Sequence, residues 1–266
     1  MFIFWGTKAV IRKLGYVADF CPICRDIRSF QVSRIGRAGH LYGVSFGQGQ
    51  LVGHQKTCVQ CGVELKADAA IYKDIAKELQ DAGTTQLINS TFPDIRQYYA
   101  DRLSLEDQVT RQPNQIDAQT RLALIKEPFL LLAPIVEKRF SAVHIDRSVG
   151  AALVLTIVAV VAVASIFNAF FPLAFEQKAN AFLITFGIGI AAIGVQGFKS
   201  AGRFMRKVIY PKISLALRPL NPGQHELEVV FAELKRSGFK LSKKAKLKDM
   251  LRELITARQT GAVRFR

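Results

Sequence analysis

Two runs of uncharged residues constrain this chain more than any other feature. Val149 to Phe171 is 23 residues long, Ala179 to Phe198 is 20, and neither contains a charged side chain. At about 1.5 Å per helical residue they measure roughly 35 and 30 Å, enough to cross a hydrocarbon core of about 30 Å. Soluble helices seldom stay uncharged for so long, so the pair predicts a transmembrane helical hairpin joined by the short link Pro172 to Lys178. The second run carries small residues at Gly187, Gly189, Ala191, Gly194 and Gly197, of which Gly187, Ala191 and Gly194 form one stripe, and the first at Ala151, Ala152, Ala159 and Ala162. Small residues let helix backbones approach closely, so a packed hairpin is expected, and self-association into a homo-oligomer through the transmembrane helices is a further expectation. Neither run contains Asp, Glu, Lys, Arg or His, which favours an anchor over a conduction path.

The charge lies elsewhere. The 266 residues carry 37 basic and 21 acidic side chains, a net of +16. Half of the residues are hydrophobic, which excludes a disordered or collagen-like chain. Residues 1–147 hold 19 basic and 15 acidic residues, 148–198 one of each, and 199–266 17 basic and 5 acidic. Lys138, Arg139 and Arg147 precede the first run, and Lys199, Arg203, Arg206, Lys207 and Lys212 follow the second. The positive-inside rule then predicts an integral membrane protein with both termini cytoplasmic, in the inner membrane if the source is bacterial. Lys8, Arg12 and Lys13 near the start, without a long apolar stretch, do not read as a signal peptide.

All four cysteines fall in two C-x₂-C pairs, Cys21-Pro22-Ile23-Cys24 and Cys58-Val59-Gln60-Cys61, separated by 33 residues. Four cysteines are too few for a disulfide scaffold, and a reducing compartment favours metal over disulfides. Two such pairs are the ligand set of a tetrahedral zinc–thiolate site, so one structural Zn²⁺ on Cys21, Cys24, Cys58 and Cys61 is expected. A closed four-sulfur shell leaves no open position for catalysis. Gly62 suits the turn after the second pair, whereas Arg25 occupies the matching place after the first. Two rivals are a redox Cys-Pro-x-Cys motif, which wants a helix after its first thiol, and a site recruiting His40 or His54. Around the pairs, Phe30 and Val32 alternate with Ser29, Gln31 and Ser33, and Leu41 to Phe46 is β-like, so short strands and hairpins are expected.

Phe2-Ile3-Phe4-Trp5-Gly6, then Phe20-Cys21-Pro22-Ile23-Cys24, then Cys58-Val59-Gln60-Cys61-Gly62, resembles the zinc-ribbon family that opens on a Phe-x-x-Trp-Gly strand. The resemblance covers residues 1–65 and implies zinc ligation by the four cysteines. It implies no activity. The glycine-rich stretch Gly36 to Gly53 departs from that pattern and puts the ribbon's tip in doubt.

Residues 67–147 read as short helices. Asp68 caps an expected helix ending at Gly83, Thr91 to Asp94 and Ser104 to Asp107 look like helix starts, and Asp117 like another. Pro128 to Val136 is apolar but too short to span, and Pro134 is expected to limit any continuous helix. The adjacent acids Glu106 and Asp107 read as solvated. After the second run, His225 to Arg236 and Ser242 to Arg258 have amphipathic spacing. The second opens with Lys243, Lys244, Lys246 and Lys248, a candidate membrane-surface set for anionic headgroups. The bland alternative folds this helix onto the middle region.

The expected architecture is a multi-domain membrane protein. It comprises a small β zinc ribbon (1–66), an α-helical cytoplasmic region (67–147), a two-helix transmembrane hairpin (148–198, with spans 149–171 and 179–198) and a basic α-helical cytoplasmic tail (199–266). The expected function is non-enzymatic: a ribbon anchored in the lipid bilayer and presented to a cytoplasmic protein partner. Nucleic acid is a less favoured partner. Arg25, Arg28, Arg34 and Arg37 cluster near Phe30 in sequence, but a zinc–thiolate shell of charge −2 blunts that patch. A small channel or carrier subunit is the remaining alternative.

Overall fold

The computed structural model describes residues 5–41, 44–79, 84–141, 146–170 and 175–260. Among the described residues five strands come first: β1 (Trp5–Cys21), β2 (Asp26–Leu41), β3 (Val44–Ser45), β4 (Gln50–Cys58) and β5 (Glu64–Ala67). They form one antiparallel sheet in the order β1-β2-β4-β5, with β3 paired to β2. The helices are α1 (Thr84–Thr91), α2 (Ile95–Tyr98), α3 (Ala100–Arg111), α4 (Ala118–Ser141), α5 (Arg147–Phe170), α6 (Phe175–Phe204), α7 (Tyr210–Leu217), α8 (Gln224–Arg236), α9 (Lys240–Lys244) and α10 (Leu247–Thr260). The chain divides into two compact units, one of Met1–Pro128, Lys212–Glu226 and Leu254–Arg266, the other of Phe129–Pro211 and Leu227–Glu253.

In the first unit the sheet is two-natured. Its cysteine end is buried at Val17, Ala18, Phe20, Ile23, Phe30, Val32 and Val63. Its other end is not. Over Trp5 to Leu14 only Gly6 and Val10 are even half-buried. At Gly15 β1 shifts register against β2, and a Cβ there would collide with the Ala76 carbonyl. That space lets Tyr16 exchange backbone hydrogen bonds with Ala76, at 2.7 and 3.0 Å.

This bridge replaces the helix expected from Asp68 to Gly83. Among the described residues of that stretch the one helical element is a 3₁₀ turn, Ala69–Ile71, with Asp68 accepting the Ala70 N–H at 3.0 Å. Tyr72 then turns extended and is buried. Pairing with the sheet satisfies backbone groups that a helix would have satisfied internally. Residues 80–83 lie outside the described residues. The expected start at Ser104 to Asp107 also fails, because α3 begins at Ala100 and runs through it. Thr91 ends α1 rather than starting a helix, and Asp94 precedes α2 without a side-chain cap. Asp117 does precede α4, and its carboxylate accepts the Thr120 N–H at 2.9 Å.

Helix α4 runs through Pro128 and, against the limit expected there, through Pro134. A mid-helix proline costs about 3 kcal/mol. Leu124, Ile125, Phe129, Leu132, Ala133 and Val136 are all buried along this helix, and their packing outweighs that cost.

In the second unit α5 and α6 pack antiparallel. Thr156 meets Gly189 mid-length, where a Cβ on the glycine would collide with the threonine, and Asp146 meets Arg203 at one end. The expected small-residue stripe is not the contact, since nothing lies within 4 Å of a Cβ placed on Gly187 or Gly194. Helix α6 starts at Phe175, inside the expected link, and residues 171–174 lie outside the described residues. A π-helical turn, Met205–Ile209, carries α6 into α7, so this helical run is longer than the apolar run in the sequence.

Helix α8 buries Leu227, Val230, Phe231 and Leu234, as its spacing predicts. The expected helix from Ser242 to Arg258 is instead two, α9 and α10. Ala245 is extended, and the Lys246 N–H donates to the Tyr210 hydroxyl at 2.9 Å rather than to a helical carbonyl. Lys243 and Lys244 therefore end α9, Lys246 sits in the break and Lys248 opens α10, all four exposed.

Candidate metal centre

Each cysteine pair sits where one strand turns into the next. Cys21 ends β1 and Cys24 lies in the turn before β2, while Cys58 ends β4 and Cys61 lies in the turn before β5. Pairing of Phe30 with Cys58 fixes the two turns side by side. Backbone hydrogen bonds close the second turn, from Gly62 N–H to the Cys58 carbonyl at 2.9 Å and from Cys58 N–H to the Val63 carbonyl at 3.0 Å. In the first turn the Cys24 N–H points at Cys21 Sγ at 3.4 Å.

The four sulfurs converge, all within 4.8 Å of one another. Cys21 and Cys61 are 3.6 Å apart, and Cys24 and Cys58 are 3.9 Å apart. Zinc–sulfur bonds of about 2.3 Å in a tetrahedron place sulfurs roughly 3.8 Å apart, so the group can hold one metal ion with little movement. Cys21, Cys58 and Cys61 are buried and Cys24 is half-buried. Crowding splits the thiols. Hydrogen bonding to Cys24, Cys58 and Cys61 pushes the Cys21 thiol well up, and hydrogen bonding to Cys21, Cys24 and Cys61 holds the Cys58 thiol well down. A divalent cation replaces these shared protons with one central charge.

A strand, not a helix, follows the first pair, so the helix N-terminus that a redox Cys-Pro-x-Cys motif uses to activate its thiol is missing there. Among the described residues, neither His40 nor His54 joins the sulfur cluster. His40 is in β2 opposite Gly6, and His54 is in β4 opposite Arg34.

Arg25 and Glu106 were not legible as site residues. Arg25 adopts φ +57°, the left-handed conformation that Gly62 adopts at φ +64° in the second turn. Its buried guanidinium donates to Glu106 at 2.6 Å and to the Ala216 carbonyl at 3.1 Å. Glu106, expected in solvent, is buried and also pairs with Arg102 at 2.8 Å, which in turn pairs with Glu127 at 2.6 Å. Asp107 is exposed and pairs with Arg111. On the other turn, Lys212 Nζ donates to the Gly62 carbonyl at 2.6 Å.

A second buried group adjoins the cysteines. The Asp19 carboxylate, fully buried, accepts from Lys56 Nζ, from the Tyr72 hydroxyl and from the Tyr99 hydroxyl, the last at 2.9 Å. Burial, then the Asp19 charge, pushes both tyrosine hydroxyls up, so they act as donors. The sequence signal was a lone acid in the apolar stretch Tyr16 to Cys21.

The arginines expected to cluster do not. Arg25 is committed to Glu106, Arg28 pairs with Asp26 at 3.0 Å, and Arg34 donates to the Gln48 and Gly49 carbonyls at 2.8 and 2.9 Å. Of the four, Arg37 is the one exposed on the sheet. Comparison with protein-family models, curated proteins and solved structures found no match.

Proposed function

We propose that this chain is a non-enzymatic zinc-ribbon protein, anchored in a membrane by α5 and α6, that presents its ribbon to a cytoplasmic protein partner. The observation that carries the zinc reading is the convergence of Cys21, Cys24, Cys58 and Cys61 at tetrahedral spacing between strand ends. Four thiolate ligands at tetrahedral spacing suit zinc, and a complete shell favours a structural role over a catalytic one.

The anchor reading is supported by exposure. Two helices are long and apolar enough to span a membrane, Arg147–Ile166 and Ala179–Leu217, and almost none of their most apolar stretches is buried. A core helix of a soluble protein would hide such a surface. Here Leu155, Leu183, Ile188 and Phe198 stand open, and hydrocarbon accounts for that without cost. Basic residues flank the hairpin on the side of both termini, which supports cytoplasmic termini.

Metal analysis of the purified full chain should give one zinc per chain, and Cys58→Ser should lose it. Stoichiometric zinc on a variant with all four cysteines replaced would overturn the site. Reporter fusions at both termini should stay cytoplasmic, and an exported reporter would overturn the orientation.

A further inference from the structure

The end of the sheet remote from the cysteines has no role in holding a metal, and its composition is unlike the rest of the chain. Residues 5–14, 33–41 and 44–54 carry five basic side chains, Lys8, Arg12, Lys13, Arg34 and Arg37, and no acidic one. Large apolar side chains stand in solvent at its very end. Trp5, Leu41 and Val44 form one cross-strand row, since Trp5 pairs with Leu41 and Leu41 with Val44. Trp5 is 83% exposed, Val44 67% and, in the turn beyond, Phe46 63%. The Phe46 N–H donates to the Gly39 carbonyl at 2.9 Å, so this turn is held against β2. The result is a braced arm with an apolar tip.

We propose that this arm is a membrane-docking element, whose tip of Trp5, Leu41, Val44 and Phe46 enters the surface of a bilayer carrying anionic headgroups. Spacing along the strands supports that occupant. Lys8 lies three residues behind Trp5 and Arg37 four behind Leu41, both exposed, about 10 to 13 Å back at about 3.3 Å per residue. Interfacial elements bury their apolar side about 5–10 Å, which leaves that collar at the level of the headgroups. Tryptophan itself favours the interface. Charge complementarity selects acidic lipid over neutral lipid, because nothing acidic on the arm opposes it.

A nucleic acid fits less well. Bases stack on aromatic faces, and the aliphatic Leu41 and Val44, with Ile11 further back on the same face, offer none. Arg34 is occupied with the Gln48 and Gly49 carbonyls, and Arg25 and Arg28 lie at the cysteine end. The inference goes beyond the proposed function: it assigns a lipid surface to a part of the ribbon that the partner reading leaves unassigned, and it does not require the helical hairpin.

The chain contains a single tryptophan, Trp5, so its fluorescence reports the tip alone. The full-length protein is reconstituted into vesicles of phosphatidylcholine with and without phosphatidylglycerol. With the anionic lipid, Trp5 emission should shift to the blue, become quenchable by brominated acyl chains and lose access to aqueous iodide. Each neutralised basic residue near the surface lowers partitioning about fivefold, so Lys8→Gln with Arg37→Gln should weaken it roughly 25-fold while zinc content is unchanged. Iodide-accessible emission in both lipid mixtures would overturn the proposal. So would protection of Trp5 by added RNA or duplex DNA, or by self-association in detergent, in place of lipid. Release of the chain from vesicles by alkaline wash would sink the hairpin instead. The same fluorescence read on the released chain with vesicles added would then still test the arm.

Discussion

Removing the Glu106 carboxylate should unfold the first cysteine turn's surroundings more severely than any surface change. Arg25 and Glu106 side chains are 4% and 7% exposed and meet at 2.6 Å. Glu106→Ala leaves the Arg25 charge buried with only the Ala216 carbonyl as acceptor, and one of its terminal nitrogens already lacks a partner. Arg102 loses less, because it keeps Glu127. Breaking a buried pair from one side costs about 3–5 kcal/mol. At about 2–4 °C per kcal/mol for a unit of this size, the melting temperature should fall by roughly 6–20 °C. The assay is thermal unfolding of the zinc-loaded full chain in detergent micelles, followed by near-ultraviolet circular dichroism and by release of zinc to a chromophoric chelator. Replacing both partners by apolar residues of similar shape, Arg25→Met with Glu106→Leu, should recover most of the loss, because no buried charge is left over. A Glu106→Ala melting temperature within about 3 °C of wild type, or a double variant as unstable as the single one, would refute the assignment of a desolvated pair.

Three further outcomes follow from single contacts. Thr91 is buried, accepts the Ala18 N–H at 3.0 Å and donates to the Leu87 carbonyl at 2.7 Å. Thr91→Ala should cost about 1–3 kcal/mol and speed hydrogen exchange at Ala18, whereas Thr91→Ser should do neither. Gly189→Ala drives a Cβ into Thr156 and should weaken the α5–α6 pair by about 1–3 kcal/mol in a dodecyl sulfate titration, while Gly187→Ala, facing open space, should leave it unchanged. Hydrogen bonding from the Val149 N–H, then from Arg203, holds the Asp146 carboxyl down at about 2. Because the folded value lies below the usual ~3.9, the stability difference between wild type and Asp146→Asn should be constant above about pH 5 and vanish as pH falls towards 2, read by thermal unfolding across that range.

What was legible in the sequence is what is encoded locally. Two C-x₂-C pairs specify a tetrahedral sulfur site because ligand chemistry fixes both their spacing and their convergence. The uncharged runs specify α5 and α6 because lipid-compatible length is a local property. The face Leu227, Val230, Phe231 and Leu234 specifies α8 for the same kind of reason. Several of the misreadings are places where tertiary packing decides. The helix after Asp68 yields because Tyr16, some sixty residues earlier, offers Ala76 a backbone partner. The tail helix breaks where Tyr210 takes the Lys246 N–H. Pro128 and Pro134 stay helical because an apolar face is buried along the rest of α4. Glu106 reads as a surface acid until Arg25, eighty-one positions away, is placed beside it.

Arg25 shows why the four-sulfur site belongs to more than the sheet that carries it. Both cysteine turns require a left-handed residue directly after the second sulfur of the pair. The second turn uses glycine, the residue that adopts this conformation freely. The first uses arginine, which bears about 1 kcal/mol of backbone strain there. A glycine at Arg25 would remove that strain and with it the bonds to Glu106 and to the Ala216 carbonyl. At the second turn the direction is reversed, and Lys212 reaches in to the Gly62 carbonyl. Both sulfur turns are thereby tied to the same short stretch, Lys212 to Leu217, about 150 residues further along the chain than Gly62. A sixty-residue ribbon has too little core to hold such turns rigid by itself. The strained arginine is therefore best explained as the means by which residues 100–111 and 212–217 supply the packing that the ribbon lacks, so that a metal bound between the turns stabilises these helices together with the strands.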